Sequence, residues 1–181
     1  GSANTITKSG TGVLSLTGNN TYSGATTISA GTLSVDGIAN GGVASSLGQS
    51  SNASGNVVFN GGTLEYTAAS VASDRGFTVN AGGGTIQVDT AGTTLTFSGG
   101  VAGSGALTKT GAGVLTLSGA NSYSGTARSS AGTLTVGAAT ALQSATLDMN
   151  AGDGGSVTFS QNSTLGGLTG SRGLDMSGVT V

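Results

Sequence analysis

The chain has no cysteine, no proline, no histidine and no tryptophan, and only 7% of its 181 residues are charged. Without cysteine there are no disulfides and no thiolate metal sites, although the compartment stays open. A chain that crosses an envelope unfolded escapes premature bridging in this way. Without cysteine or histidine the common nucleophile–base pairs and transition-metal sites are missing as well. Proline would remove a ladder hydrogen bond from an interior strand, so its absence fits a chain built of such strands. The five basic residues, Lys8, Arg75, Lys109, Arg128 and Arg172, are scattered. They form no stripe that could neutralise phosphates, which argues against nucleic acid as a partner. There is no basic amphipathic helix for a membrane surface. The apolar runs are a few residues long, far below the roughly 20 that span a bilayer, so no direct membrane insertion is expected.

Glycine, by contrast, occurs 36 times, and with serine and threonine it makes up about half of the chain. Disordered chains of that kind combine low hydrophobicity with high net charge. Here 35% of residues are hydrophobic and the net charge is −2. The composition describes an ordered chain that uses hydroxyls and amides where most proteins use charges.

Two stretches, 6–35 and 107–136, repeat each other at an unbroken offset of 101 residues, so Lys8 maps to Lys109 and Tyr22 to Tyr123. Internal repetition of this kind signals a stacked architecture. A smaller pattern lies beneath it: glycine, any residue, apolar, any residue, apolar. It occurs at Gly12 (Leu14, Leu16), Gly31 (Leu33, Val35), Gly62 (Leu64, Tyr66), Gly84 (Ile86, Val88), Gly113 (Leu115, Leu117), Gly132 (Leu134, Val136) and Gly155 (Val157, Phe159). Period-two alternation after a turn glycine marks a half-buried strand. Similar short strands precede it at 26–29, 57–60, 77–80 and 147–150. No window has helical periodicity, and strong helix formers are few.

The glycines are 19, 31, 22, 29, 19 and 23 residues apart. A coil of about 20 residues cannot bury its few Leu, Val and Ile alone, but stacked coils bury them in a continuous column. The expected fold is all-β: a parallel β-helix, or β-solenoid, with coils of about 20 residues. Seven or so coils at about 4.8 Å each make a rod roughly 35 Å long. The 101-residue echo then corresponds to about five intervals and reads as a fixed axial register. The long interval 36–55, rich in turn residues, reads as a protruding loop with room for a short helical turn at 43–47. Residues 93–97 supply an extra strand. The tail from 160 alternates weakly through Leu165, Leu168, Leu174, Met176, Val179 and Val181, as one or two further coils. Residues 3–181 thus read as one segment. Gly1 and Ser2 resemble a remnant of tag removal, and Val181 stops inside an alternation, so the chain is expected to be a piece of a longer protein.

Candidate chemistry is sparse. The duplicated GNNTYSG (18–24) and GANSYSG (119–125) could form aromatic–amide subsites for a sugar, or corners of the rod. The corner reading outweighs the other because both copies occupy one framework position. There Asn20 and Asn121 would bond backbone or stack as ladders. Tyr22 and Tyr123 would cover the column at its edge, with Gly24 and Gly125 closing the turn. Among Asp36, Glu65, Asp74, Asp89, Asp148, Asp153 and Asp175 no two recur at one-coil spacing on a strand, so paired-carboxylate catalysis is not expected. The NAGDGGS run at 150–156 lacks the repeated array of calcium-binding glycine motifs, and the glycines at 82–84 lack the lysine and helix of a phosphate loop. Thr-x-Thr pairs at 5/7, 94/96 and 133/135 are irregularly spaced for an ice-binding array. Val13 and Val114 point outward and are expected under an adjacent loop. The chain is expected to be no enzyme and to need no cofactor.

The run I/L-T-K-x-G-x-G-x-L-x-L-x-G-x-N-x-Y-x-G, followed by A-G-T-L-x-V, resembles the autotransporter-associated β-strand repeat, also called the passenger-associated transport repeat. NGGTLEY, FTVNAGGGTIQV and TTLTFSGGVAGSGALTK are similar to sequence found between such repeats. The resemblance implies a right-handed parallel β-helix in the exported passenger of a Gram-negative surface protein. It also implies a role as a rigid stalk that helps outer-membrane passage, with a C-terminal barrel elsewhere as anchor and with neighbouring coils and domains of the passenger as partners. It implies no catalytic residues. The second copy departs from the pattern at 126–129, where TARS puts Ser129 at the position of Ile28, so a locally shifted coil or a weaker core is expected there. An adhesin or self-associating module, binding a surface protein or glycan through 36–55 or a flat face, is the second reading. A polysaccharide-acting enzyme is the third.

Overall fold

A computed structural model describes residues 3–176 and 180; Gly1, Ser2 and the tail alternation at Val179 and Val181 lie outside them. The strands stack in three parallel sheets, one per face of the rod. The first face holds β1 (Ile6–Lys8), β3 (Thr26–Ile28), β5 (Val57–Phe59), β8 (Phe77–Val79) and β11 (Val101–Gly103). The second holds β2 (Val13–Leu16), β4 (Thr32–Val35), β6 (Thr63–Tyr66), β9 (Gly84–Val88), β12 (Leu107–Thr110), β14 (Thr126–Ser129), β16 (Leu142–Met149) and β18 (Leu165–Gly170). The third holds β7 (Val71–Ser73), β10 (Thr94–Phe97), β13 (Val114–Leu117), β15 (Thr133–Val136) and β17 (Ser156–Phe159). The result is a β-solenoid of about 8 turns with coils of about 21 residues.

The alternation read from sequence places the side chains. In register along the second face, Leu33, Leu64 and Ile86 stack inward, while Thr32, Thr63 and Thr85 stack outward. Phe59, Phe77 and Phe97 pack edge to face inside the column, with ring centroids 5.6 and 5.1 Å apart. This geometry suits the ring quadrupole. The inward residues of the first coil are the exception: Leu14 is 37% exposed because β2 pairs on one side only, with β4. Val13 is 70% exposed and lies under no loop, contrary to expectation.

The 101-residue echo does not span a whole number of turns. In the first copy the strands run β1, β2, β3, β4 over the first and second faces alternately; in the second copy their counterparts β12, β13, β14, β15 run over the second and third. Four steps along the first sheet lead from β1 to β11, and β12 is one face further on. The offset is therefore four and one third turns, and the second copy is turned by one face of the three. The expected fixed register of about five intervals is replaced by this rotation. The shift falls between Gly84 in β9 and Gly113 before β13, an interval of one and one third turns, whereas the long interval from Gly31 to Gly62 is a single lengthened turn between the paired β4 and β6.

The strand at Thr126–Ser129 forms, pairing with β12 and β16, and Ala127 and Ser129 are both fully buried. The coil is in register, but the Ser129 hydroxyl has no hydrogen-bond partner. An unsatisfied buried hydroxyl costs about 1–3 kcal/mol. Ser129→Ala is expected to raise stability by about 1 kcal/mol, measured by urea denaturation, because it removes the orphan at the loss of one atom's packing. Next to it Arg128 points outward and makes a bidentate pair with Asp153, at 2.7 and 2.6 Å. The guanidinium holds the Asp153 carboxyl below its usual range.

Candidate functional site

Buried polar side chains, rather than a catalytic cluster, are the distinctive feature of the rod. Lys8 and Lys109 lie inside it, 5% and 0% exposed. Each follows an inward apolar residue by two positions (Ile6, Leu107), so the strand pleat carries it inward. Lys109 Nζ donates to the carbonyls of Thr110 (2.6 Å), Gly111 (2.9 Å) and Ala131 (3.3 Å). Lys8 does the same with Ser9 (3.1 Å), Gly10 (2.8 Å) and Ala30 (3.0 Å), residue for residue at the repeat offset. One ammonium thus joins its own turn to the turn of the next coil. Gly31 and Gly132, at φ of 63° and 65°, complete the arrangement. A Cβ at Gly132 would lie 2.3 Å from Gly113 O and 2.9 Å from Lys109 Nζ. Burial pushes the Lys109 ammonium down to about 8, against the opposing pull of Asp89.

The two Asn–Tyr arcs are coil connections. Asn121 is buried; its Oδ1 accepts the Val101 N–H at 2.7 Å and its Nδ2 donates to Ala141 O at 2.7 Å, tying three successive coils. Tyr123 lies within the column at 1% exposure, not at its edge, and its hydroxyl accepts the Leu107 N–H and reaches Gly105 O and Thr126 O. Burial pushes that phenol far up, so it stays neutral. In the first copy Asn20 donates to Thr17 O and Ser46 O, and the Tyr22 hydroxyl bonds Thr26 Oγ1 at 2.8 Å; both residues are half-buried.

The segment 36–55 is not the free loop expected from its composition. It lies along the third face as a coil without strands, formed of turns, one antiparallel bridge (Ser45 to Asn20) and the start of the 3-10 helix Ser54–Asn56, and no helical turn forms at 43–47. Ile38 and Leu47 are buried. Arg75, 1% exposed, pins it: Nε donates to Ala39 O (2.9 Å), Nη1 to Ser50 Oγ (2.8 Å), and Nη2 to Val43 O (3.2 Å) and Gly48 O (2.8 Å). Asp74 adds a bond from the Gly41 N–H at 2.7 Å. An open groove of about 360 Å³ runs along this arc, lined by Gly18, Asn19, Asp36, Ile38, Ser45 and Tyr66 among others. Its Asp36 carboxylate accepts from Ser46 Oγ (2.6 Å) and the Gly18 N–H (3.3 Å).

Of the other carboxylates, Asp74, Asp148 and Asp175 each line a separate shallow pocket, one to each. Gln87 Nε2 bridges Glu65 Oε1 (3.1 Å) and Asp89 Oδ1 (2.6 Å) on the outer second face. Among the described residues no three of His, Cys, Asp or Glu are grouped to hold a metal, and no helix is long and apolar enough to cross a membrane.

Residues 6–35 and 107–136, the two stretches whose lysines, glycines and tyrosines coincide above, match the passenger-associated-transport-repeat family. The chain carries two passenger-associated transport repeats. A curated relative, the adhesin BmaC autotransporter of Brucella suis biovar 1 (strain 1330), is 52% identical over 133 residues, or 73% of this chain. The chain spans 4% of the length of that relative. No solved structure matches it. In each transport repeat the lysine is the residue that sequence reasoning overlooked. Its signal lies in the I-T-K and L-T-K alternation, which puts the lysine on the same side of the pleat as the apolar residue two positions before it.

Proposed function

We propose that this chain is a non-enzymatic stalk segment of an exported autotransporter passenger, displayed at the cell surface and anchored through a barrel elsewhere in the parent protein. Its partners in that role are the neighbouring coils and domains of the same passenger. One observation carries the reading: Lys109, Asn121 and Arg75 direct their hydrogen bonds at the backbone of adjacent coils or arcs, and none of them is held open for a ligand. Such a design supplies stiffness and length. It also favours export, since each coil that folds outside the cell adds nearest-neighbour interactions that oppose its return.

An adhesin function for this segment itself, with a surface protein or glycan as ligand, is the second reading. The groove beside Asp36 favours it, as does the similarity to an adhesin autotransporter. The two readings separate in a parent passenger assayed for surface display and cell adhesion. Deleting 107–125 removes one whole coil, and the stalk reading expects display and adhesion to persist. It expects the same of the rim variants Asn19→Arg and Val43→Arg, both at exposed positions. Loss of adhesion at full display in the rim variants would replace the stalk reading with the adhesin one.

A further inference from the structure

The third sheet has an edge in the middle of the rod. The first and second sheets run through the coils on either side of the arc 36–50, but the third begins at β7, beyond it. The side of β7 away from β10 therefore faces the arc, which has no strand to pair with it. Folded coils flank this edge in both directions along the axis, so it owes nothing to where the sequence starts.

Backbone groups along a strand point alternately to its two neighbours. Ser73 O accepts the Ser98 N–H at 2.8 Å, so Val71 and Ser73 face β10 and Ala72 faces the arc. The next group on the arc side, the Asp74 N–H, has a partner in Asn40 Oδ1 at 3.1 Å. Ser73 Oγ donates to Ala39 O at 2.9 Å. Among the described residues nothing on the arc bonds the N–H or the carbonyl of Ala72, which is exposed. Sheet edges are normally guarded by charge, proline or a bulge. The β7 edge reads VAS and has no charge or proline.

The groove beside Asp36 reaches this edge. Val71 of β7 is part of its wall, together with Ile38, Ala39 and Ala44. Asp36 is the one charged residue of the lining. It is exposed, and both its bonds, from Ser46 Oγ and the Gly18 N–H, end on Oδ1, which leaves Oδ2 for a further donor. An apolar wall leading to a carboxylate suits the methylene stem and charged head of lysine or arginine.

We infer that the groove takes a basic side chain of an extended peptide whose backbone pairs with Ala72 as a short added strand. In complexes of this kind the main-chain bonds supply affinity and a side-chain pocket supplies selectivity. A second copy of the chain does not fit, because its own basic side chains are engaged. Lys8, Lys109 and Arg75 bond groups inside the rod, Arg128 pairs with Asp153, and Arg172 donates to the carbonyls of Asp153 and Gly155. A glycan is less suited, since Tyr66, the one aromatic residue of the lining, is 2% exposed and offers no ring to stack on. The inference deepens the adhesin reading and rests on it.

The unpaired Ala72 amide is the reporter. Its hydrogen exchange is measured on the unaltered chain with an excess of a mixture of acetylated, amidated hexapeptides made from Ser, Thr, Val and Lys. A second mixture has norleucine in place of lysine. With the lysine peptides Ala72 should exchange about fivefold more slowly, because bound peptide protects it by mass action. The norleucine mixture should leave it nearly unchanged. Asp36→Asn keeps an oxygen for Ser46 and the Gly18 N–H, so the arc stays in place, and it should abolish the protection. Equal effects of the two mixtures, no effect from either, or full protection in Asp36→Asn would overturn the inference. Protection by maltohexaose would overturn it in favour of a glycan, and protection that grows with protein concentration alone in favour of a second copy. Adhesion that persists in the rim variants would sink the adhesin reading even where Ala72 is protected, so the two failures are told apart.

Discussion

Arg75→Ala is expected to release the 36–50 arc from the third face while the coils beyond it stay folded. The guanidinium reaches four acceptors, and three of them, the carbonyls of Ala39, Val43 and Gly48, belong to turns with no strand to take over their bonding. Hydrogen bonds to a charged donor contribute about 1.5–3 kcal/mol each, and bonds that share one side chain do not add in full. A local loss of about 4 kcal/mol follows. Hydrogen exchange should show it as raised opening of Gly42, Ser46 and Gly48, whose amides bond within the arc. Exchange in β12 and β13 should be unchanged, because a solenoid coil feels mainly its nearest neighbours. Arg75→Lys should recover little, since an ammonium cannot span acceptors set around a planar fork. Global unfolding in place of local release would show that the arc is part of the column and not a cover laid on it.

Lys109→Met is expected to cost about 3 kcal/mol. Methionine retains the apolar stem but leaves the carbonyls of Thr110, Gly111 and Ala131 without their donor, in a place water does not reach. Lys8→Met makes the internal comparison: the same three bonds are lost in the open first coil, where water can replace them, so its cost should be roughly 1 kcal/mol. Lys109→Met also has a pH signature. The buried Lys109 ammonium titrates at about 8, against 10.5 for the ordinary side chain. Between those values the unfolded chain binds more protons than the folded one, so stability increases as pH rises through that window. The stability of the unaltered protein relative to Lys109→Met should therefore grow from pH 8 to pH 10.5 in chemical denaturation. A flat difference would mean that the buried amine keeps its ordinary affinity for protons.

The column itself was legible because its signal is local. Gly-x-Leu-x-Leu encodes a turn and a pleat within five residues, and the extra strand at Thr94–Phe97 was readable on the same grounds. Which face a strand occupies was not legible. The 36–55 arc is absorbed within one turn, with β4 and β6 paired in register, whereas the interval from Gly84 to Gly113 carries the motif one face further on, and the glycine spacings of 31 and 29 do not tell the two apart. The arc's own packing was hidden for a different reason: Arg75 lies in a turn, outside any alternation, and its acceptors are backbone atoms that no side-chain pattern reports. Tyr123 was misplaced to the rim because a phenol usually seeks water. Here three backbone groups stand in for it. The relation of Lys109 to Ser129, neighbours in register where the first copy has Lys8 and Ile28, is described by the structure, but nothing in it explains the serine.

The one-face turn between the two repeats makes the chain a screw with a long pitch. Four and one third turns advance about 21 Å along the axis, at about 4.8 Å per turn. An array continued on the same spacing would bring its motif back to one side only after three repeats, roughly 62 Å further on. Appendages carried at equivalent positions would then leave the shaft in three directions, like treads on a spiral stair. Successive ones would stay clear of each other without any lengthening of the rod.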